Sequence, residues 1–213
     1  MAENPKRQAL FDHWSAQYDK DVNEGGFPFM GYDRTLNALV ELGDFSTINR
    51  VLDVGIGTGN LAARLPIPPE RIWGIDFSTE MLTKAEKSLP GSHLLQVDLL
   101  SCDWPVEIAQ PFDRIVSGYT FHEFPDETKV AILHRLASDS LTPHGMILIA
   151  DISFPDAAIM EAQRVRFVSE DSWDEEETYW CAEDLLGILE NQGFQTDYVQ
   201  ISPCSGVYCI SPS

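Results

Sequence analysis

From about residue 50 onward, short apolar and β-branched runs alternate with longer stretches whose apolar positions recur at helical spacing. The runs Arg50–Val54, Arg71–Ile75, His93–Val97, Phe112–Ser117, Met146–Asp151, Thr196–Ile201 and Gly206–Ile210 predict strands. Between them the helices have chemically sensible ends. Ser78 stands three residues before Met81 as an N-cap, and Pro90-Gly91 stops the helix that it opens. Asp126 opens a second, with Val130, Leu133, Leu136 and Ala137 on one face, and Thr142-Pro143-His144-Gly145 closes it. Cys181–Gln192, carrying Leu185, Leu186, Ile188 and Leu189, is a third, ended by Gly193.

Continuous apolar strands separated by helices imply a mostly parallel sheet covered on both faces. The last two strands are joined only by Ser202-Pro203-Cys204-Ser205, too short for a parallel crossover, so they form an antiparallel hairpin. Upstream of the first strand the pattern is helical. Lys6–Asp19 reads as an amphipathic helix, Gly31–Gly43 as another, and Glu24–Phe29 as the loop between them. Without internal repeats or a Pro/Ser linker, the economical reading is one domain over residues 1–213. Residues 1–48 then form a helical cap and 49–213 the sheet core, with an insertion over 154–180.

Charge narrows the partners. Thirty-four acidic residues against fourteen Lys plus Arg give a net charge of -20. After Lys129 the basic residues are Arg135, Arg164 and Arg166, so the C-terminal third offers no basic stripe. Phosphate backbones and anionic lipid surfaces are poor partners for such a surface. Four cysteines without a CxxC pair suggest free thiols and a cytoplasmic protein. The N-terminus lacks the apolar run of a signal peptide, and no stretch reaches membrane-span length. The oligomeric state is not legible.

The densest chemistry is Val51-Leu52-Asp53-Val54-Gly55-Ile56-Gly57-Thr58-Gly59-Asn60, followed by Leu61-Ala62-Ala63-Arg64-Leu65. A strand entering a glycine-rich turn lets a ligand approach the backbone, and a following helix would offer unpaired N–H groups to an anion. The second strand ends in Asp76, where a carboxylate can accept from both ribose hydroxyls of an adenosine. A nicotinamide fingerprint is usually G-x-G-x-x-G; here the spacing is G-x-G-x-G, with Asp53 two residues ahead.

The pattern D-x-G-x-G-x-G resembles motif I of the class I S-adenosylmethionine-dependent methyltransferases. Gly74-Ile75-Asp76-Phe77-Ser78-Thr79-Glu80-Met81-Leu82, Val97-Asp98-Leu99, Phe112–Ser117 and the terminal hairpin are similar to further parts of that family. The text Phe11-Asp12…Tyr18-Asp19 resembles a bacterial small-molecule branch. The resemblance implies a Rossmann-like, seven-stranded, mostly parallel α/β sheet with a terminal antiparallel hairpin and helices on both faces. It implies S-adenosyl-L-methionine as cofactor and methyl transfer as the activity. It also implies roles for individual residues: Gly55, Gly57 and Gly59 around the methionine part, with Asp53 beside it; Asp76 on the ribose; Phe77 and Met81 flanking the adenine. Asp98 would accept from the adenine amino group with the Leu99 backbone nearby. Ser117 would lie near the amino-acid portion, and Tyr18 would reach its carboxylate.

On the acceptor side, His122 in Gly118-Tyr119-Thr120-Phe121-His122-Glu123-Phe124-Pro125 is the candidate catalytic residue. Related enzymes often carry two histidines here, and Glu123 stands in the second place. Packing and general-base roles are both open for His122. The insertion mixes Phe167, Trp173, Tyr179 and Trp180 with carboxylates, which suits either a cationic acceptor or an acidic surface over a buried aromatic core. The expected pocket joins Tyr119 and His122, the cap around Tyr18 and Phe27–Met30, and the insertion. No Asp-Pro-Pro-Tyr-type motif follows the fourth strand, so base methylation of nucleic acid is disfavoured. No metal-ligand spacing is evident, and no metal is expected. A small-molecule methyltransferase is the leading reading. A non-catalytic S-adenosylmethionine-binding module is the alternative, and a nicotinamide oxidoreductase a distant third.

Overall fold

The computed structural model describes residues 26–170 and 172–213. The predicted helix over Lys6–Asp19, and Tyr18 with it, lies outside them. The apolar runs become strands β1 (Val51–Val54), β2 (Ile72–Asp76), β3 (His93–Gln96), β4 (Phe112–Gly118) and β5 (Leu141–Phe154), paired in parallel. A two-residue strand, β6 (Trp180–Cys181), pairs with the end of β5, too short for any periodicity to announce it. The chain closes with β7 (Phe194–Ser202) and β8 (Ser205–Pro212), an antiparallel hairpin. The main sheet runs β3-β2-β1-β4-β5-β8-β7, so β8 lies inside the sheet against β5.

Among the described residues, five helices of more than two turns flank it. They are α1 (Tyr32–Leu42), α2 (Thr79–Ser88), α3 (Asp126–Asp139), α4 (Ala157–Ser169) and α5 (Ala182–Asn191). Ser78 caps α2 as its position predicts, its hydroxyl accepting from the Met81 N–H at 3.2 Å. Asp156 caps α4, accepting from the Ile159 N–H at 2.8 Å. That helix occupies the segment read from sequence as an insertion.

Side chains alternate along the strands and build two cores. Leu148, Ala150, Ile152 and Phe154 of β5 join Leu36 and Leu39 of α1 and Phe167 of α4 on one face. Ile147 and Ile149 join Leu133 and Leu136 of α3 and Leu185 and Leu189 of α5 on the other. Helices therefore cover both faces, as the uninterrupted apolar strands require.

Two local expectations need correction. The segment Thr142–Gly145, read as a turn closing α3, falls within the span of β5. Phe112 pairs with Leu141 and Arg114 with Met146, so the four turn-forming residues are looped out opposite Asp113. The helix expected after the glycine turn is a single 3-10 turn, Ala62–Arg64. Pro66, Pro68 and Pro69 follow at once, and the missing N–H groups and ring clashes stop any longer helix. Anion binding at a helix N-terminus therefore has no basis here.

Candidate active site

The glycine turn leaves the C-terminal end of β1 and is tied to β2. Gly55 and Ile56 donate to the Ile75 carbonyl at 2.9 and 3.0 Å, and Gly57 donates to Asp76 Oδ2 at 2.9 Å. Asp76 Oδ1 accepts from Ser78 N at 2.9 Å. The carboxylate at the end of β2 is thus fixed by a backbone donor on each oxygen. Gly55 and Gly57 both have positive φ, 70° and 55°, but their surroundings differ. A Cβ on Gly55 would lie 2.2 Å from Thr120 Oγ1, whereas one on Gly57 would meet nothing within 4 Å among the described residues. Gly55 is demanded by packing. Gly57 is demanded by backbone conformation beside open space, which suits a bound molecule.

Asp53 lies beneath this turn, sealed from solvent, with Oδ2 lacking a hydrogen-bond partner. Burial, reinforced by the Asp76 charge, pushes its pKa up to about 8, and a hydrogen bond from the Ala62 backbone opposes the shift. Ser117 is buried and donates to the Val54 carbonyl at 2.7 Å, locking β4 to the end of β1. Met81 is buried and Phe77 half-buried near the start of α2. Asp98 is exposed; its Oδ1 accepts from Leu100 N at 2.9 Å in a turn that holds the half-buried Leu99. Apart from Tyr18, the residues singled out for a cofactor sit at the C-terminal ends of β1 to β4, in the turns that follow or, for Met81, in the first turn of α2, where open α/β sheets bind ligands.

At the end of β4, Tyr119 adopts φ 53°, a conformation uncommon for a residue with a Cβ. The chain then turns through Phe121–Glu123. His122 is buried, with Nδ1 2.7 Å from Asp151 Oδ1. Asp151 Oδ2 accepts from the Phe121 and His122 N–H groups at 2.7 and 3.2 Å. His122 Nε2 faces Glu123 and Glu177, 3.8 Å from a carboxylate oxygen of each. Burial alone would lower the His122 pKa, but Asp151, with Glu177 and Glu123 behind it, lifts it to about 9. Burial also pushes the Glu177 carboxyl up, with His122 opposing. The segment is fastened by Thr178 N donating to the His122 carbonyl at 2.9 Å and by the buried Lys129, which donates to Thr178 O and to Asp126.

The aromatics of the 154–180 segment turn inward. Phe27 stacks on Phe167 with ring centres 4.2 Å apart and on Trp173 at 5.5 Å, and Tyr179 meets Trp173 edge-on at 4.6 Å. Phe29 and Tyr32 pack on Tyr119. The described part of the cap, the end of β4 and the 154–180 segment therefore meet. These rings form core, while Glu170, Asp174, Glu175 and Glu176 are exposed. Sequence reasoning passed over two participants. Asp151 was legible only as the polar end of an apolar strand, and Thr120 gave no signal. Glu123 and Glu177 were noted, but nothing placed them on one imidazole.

A parallel sheet with an antiparallel strand inserted at β8, a glycine turn after β1 and a fixed carboxylate after β2 together define a methyltransferase of the class I architecture. Residues 51–145 match a family model described as a methyltransferase domain. An uncharacterized methyltransferase of Geobacillus kaustophilus is 34% identical over 204 residues, covering 90% of each chain. A second, of Oceanobacillus iheyensis, is 29% identical and covers 91% of each. The chain belongs to this methyltransferase family. Solved structures with the same fold include a DhpI-SAM-HEP complex (TM-score 0.69, 17% identity, 100% of both chains). Magnesium protoporphyrin IX methyltransferase from Synechocystis with bound SAH is another (TM-score 0.66, 16% identity, 97% of this chain and 100% of that one).

Proposed function

We propose that this enzyme transfers the methyl group of S-adenosylmethionine to a small-molecule acceptor. The carrying observation is the Asp76 carboxylate, held by Gly57 and Ser78 at the end of β2 beside the open face of the glycine turn. That pairing of a fixed acceptor with unfilled space fits an adenosine ribose. Gly55, Gly57 and Gly59 would border the methionine portion, and the unpartnered Asp53 Oδ2 fits a nearby donor. Phe77 and Met81 would flank the adenine, with Asp98 and the Leu99 backbone at its polar edge. Ser117, its hydroxyl already given to Val54, would serve through its backbone.

S-adenosylmethionine supplies an already activated methyl group, so the protein's contribution is orientation and exclusion of water. The meeting of Phe27, Phe29, Tyr119 and the 154–180 segment supports an acceptor site shut off from water at the C-terminal edge of the sheet. His122, held by Asp151, is one titratable side chain at this edge that could serve an acceptor. The acidic surface supports a small molecule over nucleic acid as acceptor. Four free cysteines fit a cytoplasmic protein.

Isothermal titration should show S-adenosylhomocysteine binding to the protein and no binding of NAD. Asp76→Ala should weaken that binding by roughly 10-fold or more, since it removes a charged acceptor worth about 1.5–3 kcal/mol. Unaltered affinity in a folded Asp76→Ala protein would overturn the cofactor assignment. Production of S-adenosylhomocysteine with a metabolite panel would separate an enzyme from a non-catalytic binding module.

A further inference from the structure

We propose that His122, Glu123 and Glu177 form a binding site for a divalent first-row transition ion, with Asp151 orienting the histidine. The three side chains come from two segments more than fifty residues apart, and one ligand atom from each lies within 4.8 Å of the other two. His122 is only 5% exposed, and its Nε2 points at both carboxylates from 3.8 Å, beyond hydrogen-bonding distance. Its other nitrogen is already committed to Asp151 at 2.7 Å. That bond turns Nδ1 toward the carboxylate and Nε2 toward the two glutamates, the orientation in which metal-ligating histidines are usually held, and an ion binding there displaces the Nε2 proton.

The spacing fits an ion. Ligand atoms at about 2.1 Å from a metal are roughly 3.0–3.5 Å apart in octahedral or tetrahedral geometry, so the two 3.8 Å gaps from the imidazole need to close by a few tenths of an ångström, and the carboxylates, within 4.8 Å of each other, by up to about 1–2 Å. Small rotations of two glutamate side chains supply that. One imidazole with two carboxylates favours Zn²⁺, Mn²⁺ or Fe²⁺ over Mg²⁺ and Ca²⁺, which prefer all-oxygen shells. Three protein ligands leave coordination positions open. If the acceptor pocket lies where proposed above, an acceptor hydroxyl or thiol could occupy one and lose its proton more readily. That last step rests on the proposed function, whereas the ion site does not.

The full-length protein, stripped with chelator and dialysed, would be titrated with Mn²⁺, Zn²⁺ and Co²⁺ by calorimetry, with Co²⁺ also followed by its ligand-field absorption. One ion per chain at a site distinct from weak surface binding is expected. Glu177→Gln should weaken it by roughly 10-fold or more and change the Co²⁺ spectrum, while Glu176→Gln, an exposed neighbour, should leave both unchanged. Melting curves establish that each variant is folded. The absence of a one-to-one event, or one that survives Glu177→Gln unaltered, overturns the proposal, since the acidic surface then accounts for any uptake. S-adenosylhomocysteine affinity, measured on the same metal-free protein, fails or survives independently, so loss of the ion site and loss of the methyltransferase reading remain distinguishable.

Discussion

Asp53 and His122 are both shut away from water and both hold their protons more tightly than usual, which leaves the first neutral and the second charged. Asp53 faces another carboxylate and, among the described residues, no compensating cation, so the folded protein keeps it protonated up to about pH 8, against an ordinary value near 3.8. The sign of the linkage follows. Between those two values the folded state holds a proton that the unfolded chain has released, so stability falls as pH rises through that window. Asp53→Asn removes this dependence. Its urea midpoint should therefore change less than that of the parent between about pH 5 and pH 8, and should exceed the parent's at the alkaline end. His122→Ala should lower turnover by roughly 10-fold or more while S-adenosylhomocysteine affinity stays nearly unchanged, because the side chain faces Glu123 and Glu177 rather than the glycine turn. Lost stability with unchanged turnover would return His122 to a packing role. At this scale the sequence was uneven. Asp76 and the glycines could be read because their roles depend on spacing within one strand and its turn. The association of His122 with Asp151 and Glu177 could not, because it depends on how three separate segments meet.

Between the glycines of the first turn, structure separates effects that sequence merges. An alanine at either position must adopt a left-handed conformation, which costs roughly 1–2 kcal/mol. Gly55→Ala also drives a methyl group into Thr120 and should destabilise the fold by more than that, lowering the melting temperature sharply. Gly57→Ala meets no atom of the described residues, so its stability loss should stay near the conformational cost while cofactor affinity falls further than stability does. Calorimetry beside thermal melts separates the two outcomes. Lys129 makes a comparable point for the segment before β6. Its ammonium, depressed in pKa by burial with Asp126 opposing, bonds the Thr178 carbonyl and Asp126. Lys129→Met should therefore cost about 1.5–3 kcal/mol, with faster amide exchange centred on residues 177–181. Strand positions were legible because buried parallel strands are continuous apolar runs. The looped-out Thr142–Gly145 and the arrested helix at Ala62–Arg64 were not. In the first case turn chemistry sits inside a strand, and in the second three prolines outweigh an otherwise helical Leu-Ala-Ala-Arg-Leu.

At the scale of the molecule, a net charge of -20 on 213 residues makes the surface a repulsive one for polyanions. A gel-shift titration with tRNA at physiological salt should show no complex at sub-micromolar protein, and a shifted band would undermine the small-molecule reading. No described helix is long and apolar enough to cross a membrane. The sheet has a further consequence that lies in the order of events during synthesis. β8 follows every other strand in sequence yet lies between β5 and β7, pairing with both. A nascent chain emerging from the ribosome can assemble β1 to β5, and with them the glycine turn and Asp76, well before residues 205–212 exist. Until those residues arrive, β5 presents a bare edge bearing Ile147, Leu148, Ile149 and Ala150, the kind of edge that recruits other chains. Vectorial growth would thus shape the ligand-binding half first and leave a zipper to be closed later, so aggregation risk is greatest in the interval before residues 205–212 emerge.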